Sequence, residues 1–313
     1  QLKNIPKAPK TLYLEGNTDL LSNNIISIVG SRSCTENGKI LAYKFSYELS
    51  QCGISVASGL AVGIDTFAHL GSYNQKGKTI AVLGCGFNHI FPKENINLYK
   101  QILDNDGLII SEYPPDTKHQ SKYFLQRNRI VSGLSLGVLI IEATARSGTS
   151  VTARLANLQE RKVFAIPHEI WNSHGVGTNR LIKDGAIAVT EIDDILLEFE
   201  NLKDLTNNDI QRVELSNFSI ELNSFNNNLY NSNLDLQVSN TDFESSKSLE
   251  RKTCKNAKLK SVYDLISTTP ISINEICKKT SKSISEVSNI LFSLELEGYI
   301  KKVAGGYVCI LNK

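Results

Sequence analysis

The sequence predicts an α/β protein: a Rossmann-like, doubly wound, mostly parallel sheet followed by a small winged-helix domain. Three observations carry that prediction. From Ile25 to Thr190, short β-branched runs alternate with amphipathic stretches, the order that feeds strand, helix and strand into one sheet. Most of these runs are apolar on both alternating faces, as expected of strands covered by helices on either side. After an Asn/Ser-rich interruption, residues 258–310 return to helical periodicity and close on a glycine hairpin.

In order along the chain, residues 1–24 read as a lead-in segment. The domain at 25–199 follows, with strand candidates IISIVG (25–30), ISVASG (54–59), TIAVLGCG (79–86), GLIISEYP (107–114), GVLIIEAT (137–144), KVFAIPH (162–168) and AIAVT (186–190). Between them Gly38–Gln51, Ile64–Gln75, Asn95–Asp104 and Ser150–Glu160 carry helical spacing, and another helix is expected to begin at Arg127 after a loop. Residues 200–257 hold isolated apolar residues among Asn and Ser. Such a stretch cannot bury enough surface to offset its ordering entropy, so it reads as a linker. In the domain at 258–313, Leu259–Ser267, Ile273–Lys279 and Ile284–Leu296 suit three helices. YIKKV and GYVCI, joined by Ala304-Gly305-Gly306, suit a hairpin.

A length of 313 residues suits one large domain and a small one, and 41% hydrophobic with 21% charged residues is ordinary globular composition. The net charge of +2 says little, but its distribution says more: +2 over residues 1–199, −6 over 200–250 and +6 over 251–313. A basic terminal domain after an acidic spacer suits DNA, or else a protein-docking module with a solvated lysine face. The six cysteines form no C-x-x-C pair and no Cys/His ligand spacing, so neither a disulfide framework nor a zinc site is expected. No apolar run approaches the roughly 20 residues that cross a bilayer, and no signal peptide opens the chain. The expectation is a reduced, cytoplasmic protein with no membrane partner and no cofactor. The chain opens at Gln1 and contains no methionine, which suggests an edited or a trimmed sequence.

The chemistry-bearing residues gather at predicted strand ends. The first strand runs into Gly30-Ser31-Arg32, where backbone N–H groups and a forked cation suit phosphate; Arg32 could equally pair with an acidic neighbour. The second and third strands end in Ser58-Gly59 and in Gly84-Cys85-Gly86, and glycines bordering one edge predict close backbone approach to a ligand. Lys93 of FPKEN and Lys122, Phe124, Arg127, Asn128 and Arg129 of SKYFLQRNR interleave cations with aromatics, the mixture that tracks phosphates and stacks unpaired bases. Phe124 has an alternative reading as a core residue. Ser147-Gly148-Thr149 open a helix, as a cap or as an anion site. No nucleophile with a base, metal cluster, P-loop or G-x-S-x-G elbow is present. Asp65 and His69 read as a residue assisting its own helix N-terminus and a locally bonded histidine.

The ordered series IVGSR, SGLAVGID-TFAH, TIAVLGCG, FPKEN, LIISEYPP, FLQRNRIVSGLS, VLIIEA, SGTSVTA, VFAIP and NRLIKDGA resembles the DprA/Smf family of DNA-processing proteins from about Leu12 to Leu197. The domain at 258–310 is similar to the C-terminal module many members carry, while a helical N-terminal module found in some is missing. The resemblance implies a non-catalytic, sequence-independent single-stranded DNA-binding protein that forms a homodimer and helps load RecA recombinase during natural transformation. It implies Arg32 and Lys93 as backbone-binding cations, with Phe124 and Arg127–Arg129 lining the same pocket. It offers Asn179–Ile187 as the dimer or recombinase surface. Two positions depart from the family pattern: His168 stands where glycine usually follows VFAIP, and Leu125 where proline is common. Two other classes stay open: a nucleotide-processing enzyme of the lysine-decarboxylase-like phosphoribohydrolase type, built on Glu142 and SGT, and a duplex-DNA regulator acting through the winged helix.

Overall fold

The structure, a computed structural model, describes residues 2–144, 148–207, 257–266, 271–280, 282–296, 299–303 and 306–309. Ser147 and the stretch 208–256, which holds nearly all of the expected linker, lie outside them. The chain divides into two compact units, Gln1–Leu236 and Gln237–Lys313.

The first unit is built on an eight-stranded sheet of order β1-β5-β4-β3-β2-β6-β7-β8. Its strands are β1 (Tyr13–Gly16), β2 (Ile25–Val29), β3 (Ser55–Ser58), β4 (Thr79–Leu83), β5 (Leu108–Ser111), β6 (Gly137–Ile140), β7 (Lys162–Ala165) and β8 (Ile187–Ala188). All pairings are parallel except that of β1 with β5. The helices are α1 (Glu36–Gln51), α2 (Ile64–Ser72), α3 (Ile96–Asp104), α4 (Ser121–Leu134), α5 (Gly148–Leu158), α6 (Val176–Lys183) and α7 (Asp193–Leu196). Strand residues alternate between two cores. Ile26, Ile28, Val56, Ala81 and Ile109 face Phe45 and Leu49 of α1, Ile64 and Ala68 of α2, and Leu98 and Ile102 of α3. Ile25, Val29, Ala57, Ile80 and Ile110 face Ile130 and Val131 of α4 and Ala153 and Ala156 of α5. This two-sided burial explains why the strands read as continuous apolar runs.

Three expectations are corrected. The lead-in segment is part of the sheet: β1 pairs along β5, and Tyr99 of α3 donates a hydrogen bond to Glu15. Its four residues are half-buried to exposed, so they present no apolar run to read. Helix α4 begins at Ser121, so Lys122 to Gln126 are helical and no loop precedes Arg127. The ordered unit also extends past residue 199, because Leu202 is fully packed into the core and a 3-10 turn follows at Lys203–Asn207.

The second unit contains α8 (Ala257–Tyr263), α9 (Ile273–Thr280), α10 (Ile284–Leu296) and the antiparallel pair β9 (Ile300–Val303) and β10 (Gly306–Cys309). A bridge between Ile271 and Tyr307 adds the third edge of a winged helix. Val262, Ile266, Ile276, Val287, Leu291, Leu294 and Ile300 form its core. Helix α10 opens with a reciprocal cap. Ser283 Oγ and N–H donate to Glu286 Oε2 at 2.7 and 2.9 Å, and the Glu286 N–H returns to Ser283 Oγ.

Candidate functional site

At the carboxyl edge of the sheet the turn after β2, the loop before α2, the first turns of α4 and the N-terminus of α5 enclose a crevice of about 370 Å³. Of the residues expected from sequence, Gly30, Ser31, Arg32, Phe124, Arg127, Asn128, Gly148 and Thr149 line it, joined by Val29, Ala61, Asp65, Leu125 and Thr152. The turn after β2 is fixed from below: Gly63, at φ +85°, brings its backbone against Ser31 and Arg32, and the Ile64 N–H donates to the Ser31 carbonyl at 3.2 Å. A side chain at Gly63 would meet those carbonyls and strain the left-handed backbone.

Arg32 is exposed at the rim and makes no ion pair among the described residues. Its guanidinium lies 5.7 Å from the ring centroid of half-buried Phe124, within cation–π range. Gly148 at the mouth of α5 has open space around it, and Thr149 beside it is buried. Cation, ring face and helix N-terminus thus point at one space. Leu125, at the position where family members commonly carry proline, stands half-exposed on its wall.

Arg127 is the floor of the crevice and not a surface cation. It is 4% exposed, its Nη1 donates to the Val82 carbonyl, and its Nε has no hydrogen-bond partner among the described residues. Asp65 lies beneath it, accepting from the N–H groups of Gly59 and Ala61 at 3.1 and 3.4 Å. Burial pushes the Asp65 carboxyl up and the Arg127 guanidinium down, and each partner's charge opposes the other's shift. Asp65 therefore caps the loop ahead of α2 instead of assisting that helix's own N-terminus, because the loop's N–H groups are the buried donors in need of an acceptor. His69 is fully buried between the Leu60 N–H, which its Nε2 accepts, and Thr79 Oγ1. Burial, then the Arg127 charge, lowers its pKa to about 3. Both ring nitrogens are committed, so His69 offers the crevice no general base.

The glycines predicted to admit a ligand admit the protein instead. A side chain at Gly59 would strike the Arg127 guanidinium, one at Gly84 the Phe124 ring, and one at Gly86 the Pro114 and Pro115 carbonyls. Ser58 turns its hydroxyl to the Ile28 carbonyl at 2.7 Å. Arg129, two positions past Arg127 and so on another face of α4, pairs with Glu112 at 2.6 Å and leaves the crevice. Lys93 and Lys122 are exposed outside the crevice lining, Lys122 over the Tyr123 ring at 5.2 Å.

The switch point between β2 and β6 holds Glu142, fully buried, where a doubly wound fold commonly seats a ligand phosphate. Its carboxylate accepts from the Thr35 N–H at 3.0 Å and from the Thr35 hydroxyl, which itself caps α1 by accepting from the Gly38 N–H. His174 Nδ1 stands 3.7 Å away. Burial, then the Glu142 charge, pushes the neighbouring Cys34 thiol up to about 11, so it stays protonated and inert. Glu142 holds the start of α1 and does not line the crevice. His168, where glycine is usual, is held by Asn179, which bonds both its N–H and its carbonyl. Among the described residues no group of His, Cys, Asp and Glu is arranged to hold a metal ion, and no helix is long and apolar enough to cross a membrane.

Sequence reasoning missed Phe91 and His119. Phe91 packs 5.5 Å from Phe124, and His119 stacks on Phe91 at 4.2 Å. They are far apart in sequence and no local pattern pairs them.

Residues 1–200 match the family model of DNA recombination-mediator protein A, and residues 253–306 match the DprA winged helix domain. The chain is 36% identical over 300 residues to protein Smf of Escherichia coli strain K12, covering 96% of this chain and 71% of that protein. The X-ray structure of DNA processing protein A from Streptococcus pneumoniae superposes with a TM-score of 0.60 at 41% identity, over 64% of this chain and 70% of that one. A structure of DNA processing protein A from Helicobacter pylori, described for its single-stranded DNA binding mode, gives 0.57 at 34% identity over 64% and 94%. The match over the whole of the first domain, and a second over the winged helix, place this chain in the DprA/Smf family of DNA recombination mediators.

Proposed function

We propose that the crevice binds single-stranded DNA without sequence preference. The observation that carries this reading is the open, exposed Arg32 beside the Phe124 ring, above a buried Arg127 with an unused N–H. Cations there take phosphate oxygens and the ring takes a base face. Lys93 and Lys122, outside the crevice, supply charge to the approaching strand. On the family's grounds the protein works as a homodimer in the cytoplasm, through the surface at Asn179–Ile187, and helps seat RecA recombinase on the strand, breaking no bond.

Fluorescence anisotropy of a labelled oligo-dT tests the reading. Wild type is expected to bind with duplex DNA competing poorly, and log affinity is expected to fall with log salt by about 0.7 per phosphate neutralised. Arg32→Ala/Lys93→Ala is expected to lose most of that affinity. A double variant that binds like wild type, or a flat salt response, would remove the crevice from consideration. Recombinase loading is read separately, as the rate at which purified RecA displaces a single-strand-binding protein from DNA with and without this protein.

A further inference from the structure

Outside the crevice, the aromatic wall continues. From Phe124 the rings run to Phe91, centroids 5.5 Å apart, and from Phe91 to His119 at 4.2 Å with ring planes 20° apart. Phe91 and Phe124 are half-buried, whereas His119 is exposed. Lys93 and Lys118, on the two segments that carry these rings, are exposed and make no ion pair among the described residues. The histidine's segment is also held still. The Thr117 carbonyl accepts from the Gly86 N–H and the Pro115 carbonyl from the Asn88 N–H, both at 2.9 Å, and Asn88 Nδ2 donates to Asp116 Oδ1 at 2.7 Å.

We propose that His119, stacked on Phe91, is a second base-stacking position, taking an unpaired nucleobase of the strand after it passes Phe124, with Lys93 and Lys118 on the flanking phosphates. An exposed ring backed by a second aromatic ring, on a chain held by hydrogen bonds just ahead of it, loses little freedom when a base settles on it. Every base has a π-face, so such a platform adds affinity without sequence preference. The three rings form one cluster, with His119 also 6.5 Å from Phe124, and the two lysines give it the charge a phosphodiester requires. This inference rests on the crevice being the seat of the strand.

The test compares oligo-dT affinity and its salt dependence for wild type, His119→Ala, His119→Phe and Arg32→Ala, by anisotropy. Loss of one stacked base is expected to weaken His119→Ala roughly tenfold or more with an unchanged salt slope, while His119→Phe stays close to wild type. An oligonucleotide of abasic residues should bind wild type and His119→Ala alike. Equal binding of oligo-dT by His119→Ala and wild type overturns the proposal. So does an equal loss in both histidine variants with a salt slope lowered by about 0.7, which makes the residue a phosphate cation. If Arg32→Ala also binds like wild type, the crevice reading itself fails; if Arg32→Ala is weak while His119→Ala is not, only the stacking position does.

Discussion

Two buried charges sit at the carboxyl edge of one sheet, and they are treated differently. Glu142 at the switch point accepts from the Thr35 N–H and hydroxyl, one bond on each carboxylate oxygen, and closes the N-terminus of α1. Arg127, under the crevice, is balanced by Asp65 and bonded to Val82, yet keeps Nε free of any partner among the described residues. A buried group bonded on both of its oxygens holds the scaffold together, while an N–H left without a partner beside open space is available to a ligand. At this switch point the α1 side is closed by the protein's own carboxylate, while the open crevice lies on the side of α4 and α5.

Four measurements test that contrast, and the largest effect belongs to Arg127. Arg127→Ala leaves the Asp65 carboxylate buried without an opposing charge, and urea unfolding is expected to show a loss of about 3–5 kcal/mol. Asp65→Asn combined with Arg127→Leu should recover part of it, because the two sites are coupled. Full additivity of the single variants would mean that Asp65 and Arg127 are independent. Glu142→Ala strands the Thr35 N–H and loosens the α1 cap, a cost of about 1–3 kcal/mol by the same unfolding measurement. Oligo-dT affinity should survive that change, since Glu142 does not line the crevice. Affinity falling as far as in Arg32→Ala would erase the distinction between the two centres.

The third effect is on pH. His69 titrates near 3 when folded and near 6.5 as a free side chain. A group whose folded pKa is depressed contributes stability above the unfolded value, lost as pH falls towards the folded one. Between pH 6.5 and 5 the unfolded chain takes up a proton the native state refuses, lowering stability by about 1.5 kcal/mol. Unfolding free energies measured across that window should carry this slope, and His69→Gln should flatten it. The smallest effect is that of Arg32→Ala on stability, expected within about 0.5 kcal/mol because the side chain is exposed and forms no ion pair among the described residues. A larger change in the unfolding midpoint would show that Arg32 holds the fold rather than a ligand.

The sheet was legible because its strands are buried on both faces, which writes IISIV or TIAVL as nearly continuous apolar runs with one small hydroxyl residue each. Strand β1 was not, since YLEG is one half-buried residue followed by three exposed ones and is defined only by pairing with β5. The start of α4 was missed for a related reason: SKYFLQ is mixed in character, and no side-chain cap marks Gln120. In the winged helix, Ile284–Leu296 was readable from its helical spacing, and the structure starts it on the reciprocal Ser283–Glu286 cap. The candidate site was half legible. Arg32, Phe124 and Thr149 could be named from strand–turn and loop–helix patterns, whereas the burial of Arg127 and the departure of Arg129 required knowing which face of α4 meets the sheet.

The α/β class, the succession of strands from β2 to β8, the family and the set of residue types gathered at one edge are all written in the sequence. Those follow from local periodicity and short motifs, which need no partner to be recognised. Only the tertiary structure decided how those residues divide their work. Close packing put Gly59, Gly84 and Gly86 against the protein's own side chains and buried Arg127 with Asp65. The same packing engaged Glu142 with Thr35 and brought Phe91, His119 and Phe124 into one wall. Burial and hydrogen-bond completion are properties of the assembled neighbours, and they determine whether a charge is scaffold or site.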